Sequence, residues 1–320
     1  MRMLVTGGAG FIGSHFVLEH CARFPKDTIV VLDALVYASD RMFLASVEKG
    51  ITFVHGRVED AVLLDRLIDE HQIDTIVHFA AESHVDRSIA DPEIFLRTNV
   101  LGTQVIIDAL RSHPGVRLLH ISTDEVFGDL EPQDAPRSIG DPFRPSSPYA
   151  ASKAAAEMCV MAAIRTYQLP ICVSRCTNNY GPHQASDKLI PTIVRCALGD
   201  KPIPIYGDGK QTRDWLFVRD HCHALHCILG EREAFTSNVL QDHFFHIAAQ
   251  DSRDNLSIAC TVLDLLGKSR DLISFVADRP GHDRRYALDD QRIRGMGWAA
   301  KVSMEEGMRQ TVDWYAARGS

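Results

Sequence analysis

A chain of 320 residues, 45% hydrophobic and 24% charged, has ordinary globular composition and can bury a sizeable core in one large domain or two unequal ones. The formal net charge of −8, with no long basic run, argues against non-specific nucleic-acid binding. No apolar stretch approaches the ~20 residues that span a bilayer, and Arg2 is followed by a strand and a glycine turn instead of a signal-peptide apolar run. A cytoplasmic protein that does not enter the membrane is expected.

Short apolar runs alternate with helical patterns through the first half. Residues 3–5, 28–32, 51–54, 75–79 and 117–121 read as strands whose unbroken apolar character suits burial on both faces. Helix-period patterns occupy 11–23, 60–71, 93–112 and 147–167. Alternation at this spacing predicts an α/β fold with a doubly wound parallel sheet. A sixth strand is expected at 171–175. Beyond it Gly181-Pro182, Pro191, Pro202, Pro204, Gly207 and Gly209 break the chain into short elements, with helical patterns near 219–230, 255–267 and 304–317. This predicts a smaller C-terminal lobe, with a possible strand return to the sheet near 244–247. The eight cysteines include no Cys-x-x-Cys pair and sit mostly among apolar neighbours. They read as reduced, buried thiols, and no metal site is expected.

Gly7, Gly10 and Gly13 form a Gly-x-x-Gly-x-x-Gly turn between the first strand and the first helix. In that context Gly7 permits the tight turn, Gly10 lets the backbone approach a pyrophosphate, and Gly13 allows close helix packing. The helix N-terminus offers free N–H groups to phosphates. Asp33 follows twenty positions beyond Gly13, at the end of the second strand. Its carboxylate suits a ribose 2′-hydroxyl and repels a 2′-phosphate, which favours NAD over NADP.

Tyr149 and Lys153 lie four apart in a predicted helix and share one face. An ammonium ~4 Å from the phenol favours phenolate by roughly 4 kcal/mol at an effective dielectric near ~20, or about three pKa units. Tyr149 is thus expected as a base with Lys153 as its cation. Ser122-Thr123-Asp124-Glu125 ends the fifth strand, at the carboxyl edge where such sheets bind ligands. Neighbours in a regular strand point to opposite faces, so Asp124 and Glu125 can serve one substrate only if the chain turns there; Gly128 suits such a turn. Two carboxyls in one dry site separate their pKa values, leaving one as acid and one as base.

With these residues in place, the chain resembles the extended short-chain dehydrogenase/reductase family, and within it the nucleotide-sugar 4,6-dehydratases. The resemblance runs nearly end to end. It rests on the stretches 78–88 (HFAAESHVDRS), 97–103 (RTNVLGT), 178–182 (NNYGP), 188–191 (KLIP), 207–215 (GDGKQTRDW) and 279–286 (RPGHDRRY). It implies a Rossmann-type NAD-binding domain over 1–175 that carries the catalytic residues, and a lobe over 176–320 that mainly binds the nucleotide sugar.

The implied reaction is dehydration of dTDP-glucose to a 4-keto-6-deoxy sugar, a step of deoxysugar biosynthesis. Tyr149 takes the O4 proton while NAD takes the C4 hydride, Thr123 hydrogen-bonds near O4, Glu125 takes the C5 proton, Asp124 protonates the leaving C6 hydroxyl, and the hydride returns to C6. The resemblance also assigns Phe11, Ile12, Val58, Ala80, Ala81 and Thr98 to the cofactor, beside Tyr149 and Lys153. Substrate contacts are implied from Ser83, His84, Asn178, Lys188, Leu189, Arg213, Asn255, Arg279, His282 and Tyr286. A homodimer through the 147–167 helix is implied too, since Ala150, Ala154, Met158, Met161 and Ala162 make that helix apolar on more than one side.

Three stretches depart from the family pattern. Arg57 replaces an aspartate that binds adenine, 38–42 differs from the usual loop after the ribose carboxylate, and Ala248-Ala249 replaces a glycine pair. A nucleotide-sugar 4-epimerase shares the glycine turn, Thr123, Tyr149 and Lys153 but does not need the Asp124-Glu125 couple. A non-catalytic NAD-binding regulatory protein is the reading of another class. Thymine and uracil nucleotides both stay open, because their imide contacts are alike.

Overall fold

The structure is a computed structural model that describes residues 1–318. Its strands are β1 (Arg2–Thr6), β2 (Thr28–Asp33), β3 (Thr52–His55), β4 (Thr75–His78), β5 (Arg117–Thr123), β6 (Ile171–Cys176), β7 (Asn178–Tyr180), β8 (Ile203–Tyr206), β9 (Thr212–Phe217), β10 (Phe244–Ile247), β11 (Ser252–Asp254) and β12 (Ile273–Val276). Seven of them form one parallel sheet in the order β10-β6-β5-β4-β1-β2-β3. The order reverses between β1 and β4, so a crevice opens at their carboxyl ends. This is a Rossmann-type doubly wound fold.

The helices are α1 (Phe11–Arg23), α2 (Ala61–His71), α3 (Val85–Ala90), α4 (Pro92–Phe95), α5 (Gly102–Ser112), α6 (Pro148–Tyr167), α7 (Leu189–Leu198), α8 (Val218–Gly230), α9 (Asn255–Leu266), α10 (Gln291–Gly295) and α11 (Met304–Ala317). One face of the sheet packs Met3, Val5, Val31 and Leu119 against Phe16 of α1 and Leu225 of α8. The other packs Leu4, Val30, Ile76 and Leu118 against Leu67 of α2, Ile106 of α5 and Val160 of α6. Burial on both faces is why these strands are apolar without alternation. A third core, with Tyr180, Ile193, Trp215, Val262 and Met308, holds the smaller lobe together.

Two local features differ from the sequence reading. The helix expected over 93–112 is α4 and α5 joined through a π-helical turn, Leu96–Leu101. The turn inserts Thr98 and Asn99 toward the interior, as such widened turns do at functional sites. Helix α7 was hidden by Pro191, which sits in its first turn, where a missing N–H costs nothing. Among the described residues no helix is long and apolar enough to cross a membrane.

Candidate active site

A cleft of ≈ 290 Å³ follows the carboxyl ends of the parallel strands from Asp33 and the glycine turn to Tyr149 and Lys153. At its first end, Gly7 has φ of +71°, and a Cβ there would lie 2.5 Å from the Ala80 nitrogen. A Cβ on Gly13 would lie 2.2 Å from the Gly7 carbonyl oxygen. Bare backbone at both positions is what lets α1 start directly against the sheet. Gly10 precedes α1 without a side-chain cap, and no acidic residue occupies the first turn. The turn therefore presents open N–H donors and the positive end of a helix dipole.

Asp33 is buried, its Oδ2 accepting from the Ala9 N–H at 2.8 Å and its Oδ1 from the Leu35 N–H at 2.8 Å. These bonds tie the carboxylate to the glycine turn. Phe11, Ile12, Val58, Ala80, Ala81 and Thr98 line the same cleft. The donor set, the fixed carboxylate and the continuous trough fit a dinucleotide. Arg57 and Glu59 stand at the rim beside Val58, and the Thr98 hydroxyl donates to Glu59 at 3.3 Å. The Ala248-Ala249 departure lies elsewhere: Ala248 packs with Phe127 behind the reactive turn.

At the other end, β5 stops at Thr123 and the chain makes a single 3₁₀ turn, Asp124–Phe127. Thr123 caps it, its Oγ1 accepting from the Glu125 N–H at 3.3 Å and donating to Asp124 Oδ1 at 3.2 Å. The turn ends at Gly128, whose φ is +68°. Because the strand ends here, Thr123, Asp124 and Glu125 all line the cleft.

Both carboxyls are raised from their ordinary range. For Asp124 the shift is large, from burial first and the Glu125 charge second, against Arg213 and Thr123. Glu125 is raised by burial, but three cations, Arg213, Lys188 and Arg279, oppose the rise. The pair is therefore unequal: Asp124 is the more strongly raised, and the three cations make Glu125 the easier to ionise.

Ser147 caps α6 with Pro148 at its first position, which places Tyr149 and Lys153 in its first two turns, both buried. Lys153 Nζ donates to the Ile121 carbonyl of β5 at 2.7 Å. The Tyr149 phenol is pushed well above its ordinary value, by burial first and then by the Glu125 charge, with the Thr123 hydroxyl opposing. Spacing along a helix sets which face two residues share, but not which acceptor a lysine meets. Burial also lowers Lys153 to about 8, with Glu157 opposing.

The proposed sugar contacts divide. Ser83, Asn178 and Lys188 line the cleft. Lys188 Nζ donates to the Ser83 carbonyl at 2.7 Å, and Asn178 Oδ1 is buried with no partner, free to take a donor. Arg213, Arg279 and Tyr286 stand close enough to exchange charge effects with Glu125, although none forms the wall of the cleft. Arg213 stacks 4.4 Å over the Tyr286 ring, and Arg279 pairs with Asp86 at 3.2 Å. His282 pairs with Asp278 at 2.6 Å, while His84 caps α3 and meets Asp187 at 3.2 Å. Leu189 and Asn255 open α7 and α9 away from the cleft wall.

Sequence reasoning missed Cys176, Thr177, Asn179 and Gln184, which complete the wall. Cys176 ends β6 beside Thr123 and Thr177 follows it, so the strand-end rule that found Asp124 could have found them. Burial pushes the Cys176 thiol up to about 12, so it is no nucleophile. Gln184 lies in a loop and left no signal. Among the described residues no group of three or more His, Cys, Asp or Glu is placed to hold a metal.

Residues 4–311 match the family described as GDP-mannose 4,6 dehydratase. The chain is 46% identical over 318 residues to a dTDP-glucose 4,6-dehydratase of Mycobacterium tuberculosis, covering 98% of this chain and 93% of that protein. It superposes with a TM-score of 0.91 and 42% identity on the dTDP-glucose 4,6-dehydratase DesIV of Streptomyces venezuelae, solved with NAD bound, covering 99% of this chain and 97% of that one. A UDP-glucose 4-epimerase of Thermus thermophilus, also solved with NAD, superposes at 0.88 with 30% identity, covering 99% of each chain. On this end-to-end similarity the chain belongs to the NAD-dependent nucleotide-sugar dehydratase family, in the group of the dTDP-glucose 4,6-dehydratases.

Proposed function

We propose that the chain is an NAD-dependent hydro-lyase that converts dTDP-glucose to dTDP-4-keto-6-deoxyglucose in deoxysugar biosynthesis. The observation that carries this reading is the turn at the end of β5, which puts two unequal carboxyls, the buried Asp124 and the half-buried Glu125, beside Thr123 and Tyr149. A 4-epimerase has no use for such a couple. Gly7, Gly10, Phe11, Ile12, Gly13, Asp33, Val58, Ala80, Ala81 and Thr98 would hold NAD, which when bound would supply a hydride acceptor for C4 and the same hydride for C6, so that no net redox change is left after each turnover.

The chain's own residues move the protons. Tyr149 takes the proton of O4, which Thr123 holds by a hydrogen bond. A buried phenol needs positive charge for that task, and Lys153, one helical turn on, is the cation of this end of the cleft. The C4 ketone acidifies C5–H, and Glu125, faced by three cations, takes that proton. Asp124, which keeps its own proton, delivers it to the C6 hydroxyl so that water leaves. Lys188, Arg213 and Arg279 supply a local anion site for the diphosphate in an acidic protein.

Residues 1–175 form the part that binds NAD and reacts, and 176–320 mainly hold the nucleotide sugar, with β10 lent to the sheet. The protein works in the cytoplasm, where its eight free cysteines stay reduced. It pairs as a homodimer through α6, whose surface, together with the widened turn 96–101 packed beside it, exposes Met158 (63%), Leu96 (54%) and Leu101 (49%).

The test is incubation of the purified holoprotein with dTDP-glucose and, in parallel, UDP-glucose. Loss of one water in the product mass, with alkali-induced absorbance of a keto sugar, is the expected result and ranks the two nucleotides. Unchanged mass with a glucose-to-galactose shift means a 4-epimerase. No product from folded, NAD-loaded protein means a non-catalytic NAD-binding role.

A further inference from the structure

A dry ion pair lies directly beneath the reacting groups. Tyr149, Lys153 and Glu157 are spaced four apart on α6, so one stripe of the helix faces the sheet. Glu157 is 0% and Arg175 of β6 is 2% exposed at the side chain. Arg175 Nη2 donates to Glu157 Oε2 at 2.8 Å, and its Nε donates to the same oxygen at 2.9 Å. The rest of the guanidinium is fully engaged: Nη1 donates to the Ile139 carbonyl at 3.1 Å and meets His246 Nε2 at 3.2 Å. The Phe127, Phe143 and Phe244 rings surround it at 4.8, 5.3 and 4.7 Å.

Ser122, paired with Arg175 across β5 and β6, donates its hydroxyl to Glu157 Oε1. It immediately precedes Thr123, the cap of the reactive turn. A buried ion pair is weak evidence for stability, because desolvation offsets much of the attraction. What it does provide is a fixed charge in a fixed place.

We propose that Glu157, locked by Arg175, is a positioning residue for the reaction: it pins Ser122, and with it the Thr123–Glu125 turn, and holds the positive charge on Lys153. The inference rests on the dehydratase reading above. The groups that face Lys153 support it. From α6 comes Glu157, from β4 His78, from β5 His120 and the Ile121 carbonyl, and from β6 Cys176. Burial pushes His78 down to about 3 and His120 far below its ordinary value, so both are neutral. The Cys176 thiol is neutral too. Glu157 is the anion left to oppose the discharge of Lys153.

The test uses the NAD-loaded enzyme and Glu157→Gln, which keeps the shape and an acceptor for Ser122 while removing the charge. Two quantities are read: the pH profile of kcat with dTDP-glucose, and the titration of Lys153 by NMR of ¹³Cε-labelled lysine, assigned with Lys153→Arg. The expected result is an alkaline limb and a Lys153 titration both moved down by about one pH unit or more. The expected fall in kcat is about tenfold, with KM within about twofold of wild type.

Glu157→Gln leaves Arg175 buried without its anion, so Glu157→Gln/Arg175→Met is made alongside, because removing a whole buried pair is often tolerated. It should show the same displaced titration. A wild-type limb and titration in either folded variant overturns the proposal, as does a double variant that regains the wild-type profile, which would mean packing alone. Ser122→Ala leaves both charges in place; it should lower kcat with the limb unmoved, and an unchanged kcat overturns the pinning role. A wild-type protein that titrates Lys153 as described but makes no keto sugar sinks the dehydratase reading and leaves the Glu157–Lys153 link standing.

Discussion

The β-carbon that Gly128 lacks would stand 1.9 Å from the carbonyl oxygen of Arg144. Gly128 closes the turn that carries Asp124 and Glu125, and Arg144 donates its N–H back to the Val126 carbonyl at 3.0 Å. The reactive turn is thus strapped to the chain that leads into α6, and only glycine, at φ of +68°, fits between them. Gly128→Ala should lower stability by about 1–3 kcal/mol, read as a drop in Tm, and should lower turnover more than NAD binding. Equal turnover to wild type would show that the turn is not held this way.

The two carboxyls should fail differently from the rest of the site. Asp124→Asn and Glu125→Gln are each expected to lower dehydration by roughly 10²–10⁴-fold, the usual worth of a positioned acid or base. Because C4 oxidation precedes elimination, both variants should still show the near-ultraviolet absorbance of reduced nicotinamide on adding dTDP-glucose. Tyr149→Phe should not. The same residual dehydration in all three would mean that the acid and base roles lie elsewhere.

Lys153 sets a pH window. Its value of about 8 lies below the ordinary 10.5, and the charged form is the one that aids Tyr149, so activity should decline as pH rises through about 8. Stability runs the other way. The unfolded chain holds that proton up to 10.5, so this group adds stability between about 8 and 10.5. Denaturant melts and kcat measured over the same pH series check both signs at once.

The glycine turn can be tested by cofactor retention. Gly13→Ala puts a methyl group 2.2 Å from the Gly7 oxygen, which pushes α1 off the sheet and spoils the anion site at its N-terminus. Purified Gly13→Ala should carry less than about a tenth of the NAD of wild type, since α1 presents the donors on which the pyrophosphate depends. Release by heat and absorbance gives the ratio.

The exposed apolar surface on α6 and the adjoining turn 96–101 makes the assembly testable too. Light scattering of the wild type should give a dimer mass, and Leu101→Glu/Met158→Glu, which places charge on that surface, should give a monomer. A wild-type monomer removes the dimer from the reading.

Much of the frame was legible in the residues themselves. Unbroken apolar runs at 28–32, 75–79 and 117–121 have no other stable home than a sheet covered on both faces, and the glycine turn after β1 has a steric meaning wherever it occurs. Other features depend on contacts between residues far apart in the chain. Pro191 looked like a break but opens α7, and the widened turn at 96–101 cannot be told from regular helix by its periodicity. The contact of the Lys153 ammonium with the Ile121 carbonyl of β5, and the burial that raises the Tyr149 phenol, are likewise invisible in the spacing of the two residues.

What the sequence determined by itself was therefore the alternation of strands and helices in the first half and the dinucleotide turn, because these follow from local sterics and short-range periodicity. The tertiary structure alone decided that Asp124 and Glu125 share one cleft, that Arg213, Lys188 and Arg279 converge on Glu125, and that Glu157 and Arg175 meet under Lys153. Those are matters of burial and charge between separate elements, and spacing along one chain carries no information about how dry a meeting point will be.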